Sequence, residues 1–264
     1  MNLYKLIQGD CLQVFPTIED NSIDFIITSP PYNIKKDYDE YADDLSYDDY
    51  LVWLDLVWDE CYRVLRDGAR ICININDLGR NPYHPTHCDV ASRMRKKWFL
   101  MGIIVWDKTN CLSNTAWGSW MKTSAPGLRG MHEYIIVAGK GGKFFRKDVE
   151  DDKWAKKEFL RSTLEIWRFP PETRKRDHPA PFPLELPKRA IKLFSYPNDV
   201  VLDPFIGSGT TIEACQDLGR SCVGIELSEK YCASIKQKFF GRQFLNRTVG
   251  YEFSEFNKKG DKDE

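Results

Sequence analysis

The chain has 264 residues, 42% of them hydrophobic, with eight Trp and a formal net charge of −1. That is enough for one large domain, or one carrying an insert, around a sizeable core, and the near-neutral total does not itself point to nucleic acid. Eight cysteines stand singly with none in a CxxC pair, which argues against a disulfide framework and for reduced, intracellular thiols. No signal-peptide pattern opens the chain, and no apolar run approaches the roughly 20 residues of a membrane span. The expectation is a soluble, cytoplasmic protein with no membrane contact.

In chain order, residues 4–8 predict a short strand running into Gly9-Asp10-Cys11. Residues 23–27 predict a buried parallel strand, followed by Thr28-Ser29-Pro30-Pro31-Tyr32. The two prolines remove two N–H donors and fix φ at about −65°. Ser29, preceding a proline, is pushed towards an extended conformation. The Ser29 hydroxyl and a stiff carbonyl of Ser29 or Pro30 could then both accept from one –NH2 group. Tyr32 offers a ring face for stacking a planar base. A plain strand-terminating Pro-Pro loop would look the same in isolation.

Residues 33–46 are polar and aromatic, with Tyr38 and Tyr41, and long enough for a mobile active-site loop. Residues 47–65 place Tyr47, Leu51, Leu54, Trp58, Cys61 and Leu65 at helical spacing, which predicts a helix stopped by Gly68. Trp53 and Trp58 read as core or rim. A strand follows over residues 70–75, then a loop over 76–85, then a helix capped by Thr86 and running to Lys97. His84, His87 and Cys88 are too compactly spaced, with no distant partner pair, for a structural zinc site, so no metal is expected. Residues 99–106 and 133–138 predict buried strands.

Between those strands, residues 108–130 have weak periodicity. Trp117, Gly118, Trp120, Lys122 and Arg129 interleave aromatic and basic side chains. That suits contact with a base stack or a gap in it, or a hydrophobic flap over the core. Charge is unevenly spread: residues 37–60 hold ten acids and no Lys or Arg, and residues 140–176 hold twelve Lys or Arg against seven acids. A DNA backbone would be drawn to the second region and repelled by the first, although solvated surface accounts for any single charge.

Residues 184–194 predict a helix, and Pro197-Asn198-Asp199 a turn into a second buried parallel strand over residues 200–202. Asp203-Pro204-Phe205-Ile206-Gly207-Ser208-Gly209-Thr210 follows. Gly207 and Gly209 let a ligand approach the backbone. Ser208, Thr210 and Thr211 stand where a helix begins, and free N–H groups there favour a carboxylate or phosphate. Residues 222–225 predict a short strand ending in Glu226, and an acid at that distance can bind ribose hydroxyls. Strand, glycine loop, helix, strand and acid describe a nucleoside site, although GxG without a third glycine departs from the dinucleotide pattern. Residues 229–240 are expected to close the sheet, and residues 257–264 to fray.

Together the two motifs resemble the amino-methyltransferases of DNA. These enzymes use S-adenosylmethionine (AdoMet) to methylate N4 of cytosine or N6 of adenine. The acceptor motif precedes the cofactor motif, an order similar to the β class of the family. Gly9-Asp10-Cys11 matches the family's early cofactor-adenine motif, His178-Pro179-Ala180-Pro181-Phe182-Pro183 the segment leading into the cofactor helix, and Glu226 the ribose-binding acid. The resemblance implies an α/β, Rossmann-like methyltransferase fold. Its sheet would be mixed and mostly parallel, with helices on both faces, circularly permuted, and with a small target-recognition insert. Residues 1–107 would form the catalytic half, 108–176 the loop and target-recognition region with one core strand near 133–138, 177–256 the cofactor-binding half, and 257–264 a flexible tail.

By the same resemblance Ser29, Pro30, Pro31 and Tyr32 are catalytic. Asp10, Cys11, Thr28, Phe182, Asp203, Pro204, Phe205, Gly207, Ser208, Gly209, Thr210, Glu226 and Leu227 bind AdoMet. The implied partners are double-stranded DNA, a cognate restriction endonuclease and a second copy of the chain. Ser at the head of the acceptor motif leans, within the family, towards N4 of a flipped cytosine, and Asp towards adenine. N6-adenine is therefore the alternative. An RNA or protein methyltransferase would usually place the acceptor motif second, and a non-catalytic DNA-binding subunit would tolerate damage to Ser29 or Gly207, which are both intact.

Overall fold

The computed structural model describes residues 2–33, 45–79, 82–109, 117–141, 149–172, 182–239 and 249–256. Tyr38, Tyr41, the His178 to Pro181 part of the cofactor-helix motif, the basic residues 143–147 and 174–176 and the tail from 257 lie outside them.

The chain opens with β1 (Asn2–Gln8), a short helix α1 (Cys11–Val14) and a 3-10 turn (Phe15–Thr17). β2 (Ile23–Thr28) is buried at every position, as a parallel strand covered on both faces must be. Alternation still sorts its side chains: Ile26 enters one core, and Phe25 and Ile27 the other. α2 (Tyr47–Val64) starts where Ser46 Oγ accepts the Asp49 N–H at 3.2 Å. Asp48 and Asp49 stand at the positive end of its dipole.

Gly68 does not stop that helix. Leu65 is already extended, and β3 (Leu65–Ile75) begins at once. Gly68, at φ 79°, lies where the β2–β3 register slips between Ile23 opposite Leu65 and Phe25 opposite Arg70. Its left-handed conformation accommodates that bulge or irregularity, at little cost to a glycine. Thr86 is likewise not a cap. It is the first residue of α3 (Thr86–Met94), buried, with Pro85 at the N-cap and no side-chain capping bond; the helix ends before Lys97.

The remaining elements are β4 (Phe99–Asp107), a two-stranded ribbon of β5 (Trp117–Gly118) and β6 (Pro126–Gly127), β7 (His132–Gly139), α4 (Lys156–Ser162) and β8 (Ile166–Arg168). α5 (Glu185–Phe194), β9 (Val200–Asp203), α6 (Thr210–Leu218), β10 (Ser221–Glu226), α7 (Glu229–Phe239) and β11 (Val249–Glu255) complete the chain. Of the stretch expected to close the sheet, residues 229–239 form a helix, and it is β11 that closes the sheet by pairing with β1.

Among the described residues the main sheet has nine strands in the order β11-β1-β10-β9-β2-β3-β7-β4-β8. β7 runs antiparallel to β3 and β4, and the other pairs are parallel. One core holds the buried faces of α1, α2 and α3, the other those of α5, α6 and α7. This is the expected mixed sheet with helices on both faces. From β9 the chain steps through α6 to β10 on one side, and from β2 through α2 to β3 on the other. Strands 9 and 2 are neighbours, so the order reverses between them and a crevice opens at their carboxyl ends. No helix among the described residues is long and apolar enough to cross a membrane.

Much of the stretch expected to be an insert is built into this body. β8 pairs with β4, and the fully buried Trp167 donates its indole N–H to the Ser162 carbonyl at 3.1 Å. The fully buried Arg220 reaches across to Asp152 at 3.0 Å and to the Leu218 and Ser195 carbonyls, both at 2.7 Å. Arg220→Ala would leave Asp152 and two carbonyls without their donor. The expected loss is about 3 kcal/mol of unfolding free energy, measured by urea titration.

Candidate active site

Strands β2 and β9 run in register, with Phe25 opposite Val201 and Ile26 opposite Leu202. Just beyond, Thr28 Oγ1 donates to Asp203 Oδ1 at 2.8 Å, and the Phe205 N–H reaches the same oxygen at 3.1 Å. Thr211 Oγ1, in the first turn of α6, donates to Asp203 Oδ2 at 2.6 Å. One fully buried carboxylate thus ties the strand before Ser29, the glycine loop and the helix after it. Burial pushes its pKa up to about 6, against the pull of the Thr211, Thr28 and Phe205 donors.

A cavity of about 420 Å³ opens beside this tie, a size suited to a small-molecule ligand. It is lined by Ser29, Pro30, Pro31 and Tyr32, and also by Asp10, Cys11, Phe182, Pro204, Phe205, Gly207, Ser208, Thr210, Glu226 and Leu227. The two motifs therefore share one chamber. Thr28, Asp203 and Gly209, expected among the cofactor contacts, are not in its lining. Thr28 spends its hydroxyl on Asp203, and Asp203 spends its carboxylate on Thr28, Phe205 and Thr211. Gly209, at φ 77°, packs against α7, where a Cβ would stand 2.8 Å from Phe239 Cε2.

The Gly207 amide donates to Glu226 Oε2 at 2.8 Å, and the Ser228 amide donates to Oε1 at 2.9 Å. Burial raises the Glu226 pKa to about 7, with those two N–H groups opposing it. Asp10 Oδ1 also accepts the Gln13 N–H at 3.2 Å and so caps α1. Trp53, read as core or rim, is rim: it lines the chamber with its ring 5.6 Å from that of Phe205.

The sequence reading missed a second polar group on this wall. Asn74, Lys108 and Glu133 line the cavity around Ser29 and Tyr32. The Tyr32 hydroxyl lies 2.9 Å from Ser29 Oγ and 3.0 Å from Glu133 Oε2. Asn74 Nδ2 is 2.8 Å from the Tyr32 hydroxyl and 2.6 Å from Glu133 Oε2. Lys108 Nζ is 2.5 Å from Glu133 Oε1. Burial, then the nearby Glu133 charge, holds the Tyr32 phenol well above its ordinary pKa. The Pro31 carbonyl, one of those left without a local amide, accepts the Tyr50 hydroxyl at 2.8 Å. The only hint of Glu133 in the sequence is an acid heading an otherwise apolar strand.

His87 and His84 are engaged away from the chamber. His87 Nδ1 lies 2.6 Å from Asp77 Oδ1, with its ring stacked on Tyr134, and His84 stacks on Tyr47. Among the described residues no group of three or more His, Cys, Asp or Glu could hold a metal ion.

A model of the N6_N4_Mtase family, DNA methylase, matches residues 23–237. The chain belongs to this DNA methylase family. The methylase is 30% identical to the Type II methyltransferase M.MjaI of Methanocaldococcus jannaschii across 97% of both chains. It is also 30% identical to the DNA adenine methyltransferase YhdJ of Escherichia coli K12, over 86% of this chain and 79% of that one. Among solved structures it is similar to a DNA modification methylase of Thermus thermophilus, TTHA0409, in complex with S-adenosyl-L-methionine. There the identity is 31%, the coverage 94% of this chain and 99% of that one, and the TM-score 0.72.

The buried Asp203 sets a pH dependence of stability. Its folded pKa of about 6 lies above the ordinary value of 3.8, so the folded methylase holds a proton that the unfolded chain has lost. Stability contributed by this group is intact below pH 4 and falls as pH rises to about 6. Asp203→Asn removes that slope. Relative to wild type, the variant should gain up to about 3 kcal/mol between pH 4 and pH 7, read from urea unfolding at each pH.

Proposed function

We propose that this methylase transfers the methyl group of AdoMet to N4 of a cytosine flipped out of duplex DNA, at a specific site, as the Type II modification enzyme of a restriction-modification system. The observation that carries the reading is the Ser29 hydroxyl opening into the same chamber as Glu226 and the glycine loop. The chamber's donor set fits AdoMet. Each Glu226 oxygen takes one backbone N–H, and a carboxylate has about four lone-pair sites, so capacity remains for a ribose diol. Phe182, Phe205, Ile225 and Leu227 supply apolar wall for an adenine, and Asp10 a further acceptor.

When bound, AdoMet supplies an electrophilic methyl group on a sulfonium. The chain's own part is positioning and electrostatics. Ser29 and a carbonyl of Ser29 or Pro30 accept the two amine hydrogens, favouring an sp3-like nitrogen with its lone pair directed at the methyl. The Tyr50 bond to the Pro31 carbonyl keeps that loop rigid, and Tyr32 gives the flipped base a ring to lie on. A base inside a duplex cannot enter such a chamber, hence the flip.

Residues 108–176 are the proposed target-reading region. Its β5–β6 turn shows Trp120 and Met121 at 62% and 89% exposure, near Lys122 and Arg129 in sequence. Ser119 Oγ fixes the turn by donating to the Lys122 carbonyl at 2.8 Å and accepting the Ala125 N–H at 3.0 Å.

The second reading is N6 of adenine. It is favoured by the similarity to an E. coli adenine methyltransferase, and a neutral hydroxyl can accept from either amine. Mixed-sequence DNA incubated with labelled AdoMet, digested to nucleosides and analysed by mass spectrometry separates the two. N4-methylcytosine is expected, and N6-methyladenine would replace cytosine with adenine. No labelled nucleoside, with AdoMet still bound, would overturn DNA as the substrate. Ser29→Ala should lower turnover about 100-fold while AdoMet binding by calorimetry stays within about twofold, because Ser29 is assigned to the amine rather than to the cofactor.

A further inference from the structure

The polar group around Ser29 has a direction. Lys108 Nζ holds Glu133 Oε1 at 2.5 Å, and an ionised carboxylate can only accept. The Tyr32 hydroxyl, 3.0 Å from Oε2, must therefore donate to it. The Asn74 amide has both of its hydrogens within reach of Glu133 and Tyr32, at 2.6 and 2.8 Å. Its buried Oδ1 has no partner among the described residues, and its amide is held from the donor side. With the single Tyr32 proton committed to Glu133, the 2.9 Å contact between Tyr32 and Ser29 has only one sense left: Ser29 donates. Asn74 Nδ2 stands 3.4 Å from Ser29 Oγ, longer than an ordinary N–H···O bond, so the lone pairs of Ser29 Oγ are what remains for a ligand.

We propose that Glu133, held by Lys108, makes the Ser29 hydroxyl an obligate acceptor and takes up, through Tyr32, the proton that the target amine loses. The inference rests on the reading of this site as a DNA amino-methyltransferase. As the amine nitrogen gains its methyl carbon, the methyl–sulfur bonding pair stays with sulfur and the nitrogen must release one proton. That proton passes to Ser29 Oγ while the Ser29 proton passes to Tyr32 and the Tyr32 proton to Glu133 Oε2. Ser29 and Tyr32 end neutral, as they began. Glu133 becomes a carboxylic acid, and water takes the proton before the next turnover. Glu133 is a positioning residue in this scheme, since it acts through Tyr32 and Ser29.

Among the described residues, the charged and titratable groups facing Glu133 are Lys108, following β4, and Tyr32, following β2. Tyr50 acts on Tyr32, and Asp10, Glu172 and Glu226 share the chamber. In steady-state assays, Glu133→Gln should lower kcat at least about 100-fold, with the KM for DNA and the dissociation constant for AdoMet within about threefold. The acid limb of its kcat–pH profile should vanish. Glu133→Asp should recover part of the rate, and Lys108→Gln should move the acid limb to higher pH. Without AdoMet or DNA, the 13C-labelled Tyr32 phenol should titrate at lower pH in Glu133→Gln than in wild type.

A Glu133→Gln enzyme with wild-type kcat and an unchanged acid limb would overturn the proposal. If that variant does not fold, an acid limb unmoved by Lys108→Gln overturns it equally. Failure of the wild type to methylate any nucleobase would instead sink the functional reading, and the phenol titration would still report whether Glu133 governs Tyr32.

Discussion

The site depends on one buried carboxylate that stands outside the chamber's lining. Asp203 takes Thr28 from one strand, Phe205 from the loop and Thr211 from the helix, and its burial is complete. Each bond fixes a backbone segment whose neighbours form chamber wall: Ser29 after Thr28, Pro204 and Gly207 around Phe205, Thr210 before Thr211. An unpaired charge in that position would be intolerable, and three donors make it tenable. The carboxylate thus fixes the relative placement of two loops that belong to separate halves of the chain.

The second constraint is the reversal of β7. Because it runs antiparallel to both neighbours, its first residues lie beside the last residues of β3 and β4: Asn74 pairs with Ile135, and Trp106 with Glu133. The carboxyl ends of two strands and the amino end of a third therefore meet at the acceptor loop. An all-parallel sheet would have carried Glu133 to the opposite edge. The sheet reversal and the charge pair between Lys108 and Glu133 are two parts of one arrangement.

The two motifs were legible because each is a local string after a buried strand, and local strings survive without tertiary information. Their facing was not. Thr28, Asp203 and Gly209 belong to the motifs but turn inward, since membership of a loop does not say which side of the backbone a group occupies. Glu133, Asn74 and Lys108 were invisible because only sheet register brings them together, across 25 and 59 residues of chain. Thr86 and Gly68 misled for a simpler reason. A Thr before a helix and a Gly after one suit a cap and a stop, but also a buried first turn and a bulge. β11 is a short alternation, Val249, Tyr251, Phe253, on a half-exposed edge, too brief to stand out as a strand.

Thr28 and Asp203 are separated by 175 residues. On the ribosome the acceptor loop emerges first and must wait for its partner. At about 5–20 residues per second the interval is roughly 10–35 s. Throughout it, the Pro-Pro loop lacks the carboxylate that fixes it, and Ser29 faces no chamber. A nascent chain truncated between β7 and β9 would hold every catalytic side chain named here and still be without a site. Competence arrives in the last third of synthesis, when one buried aspartate closes the ring.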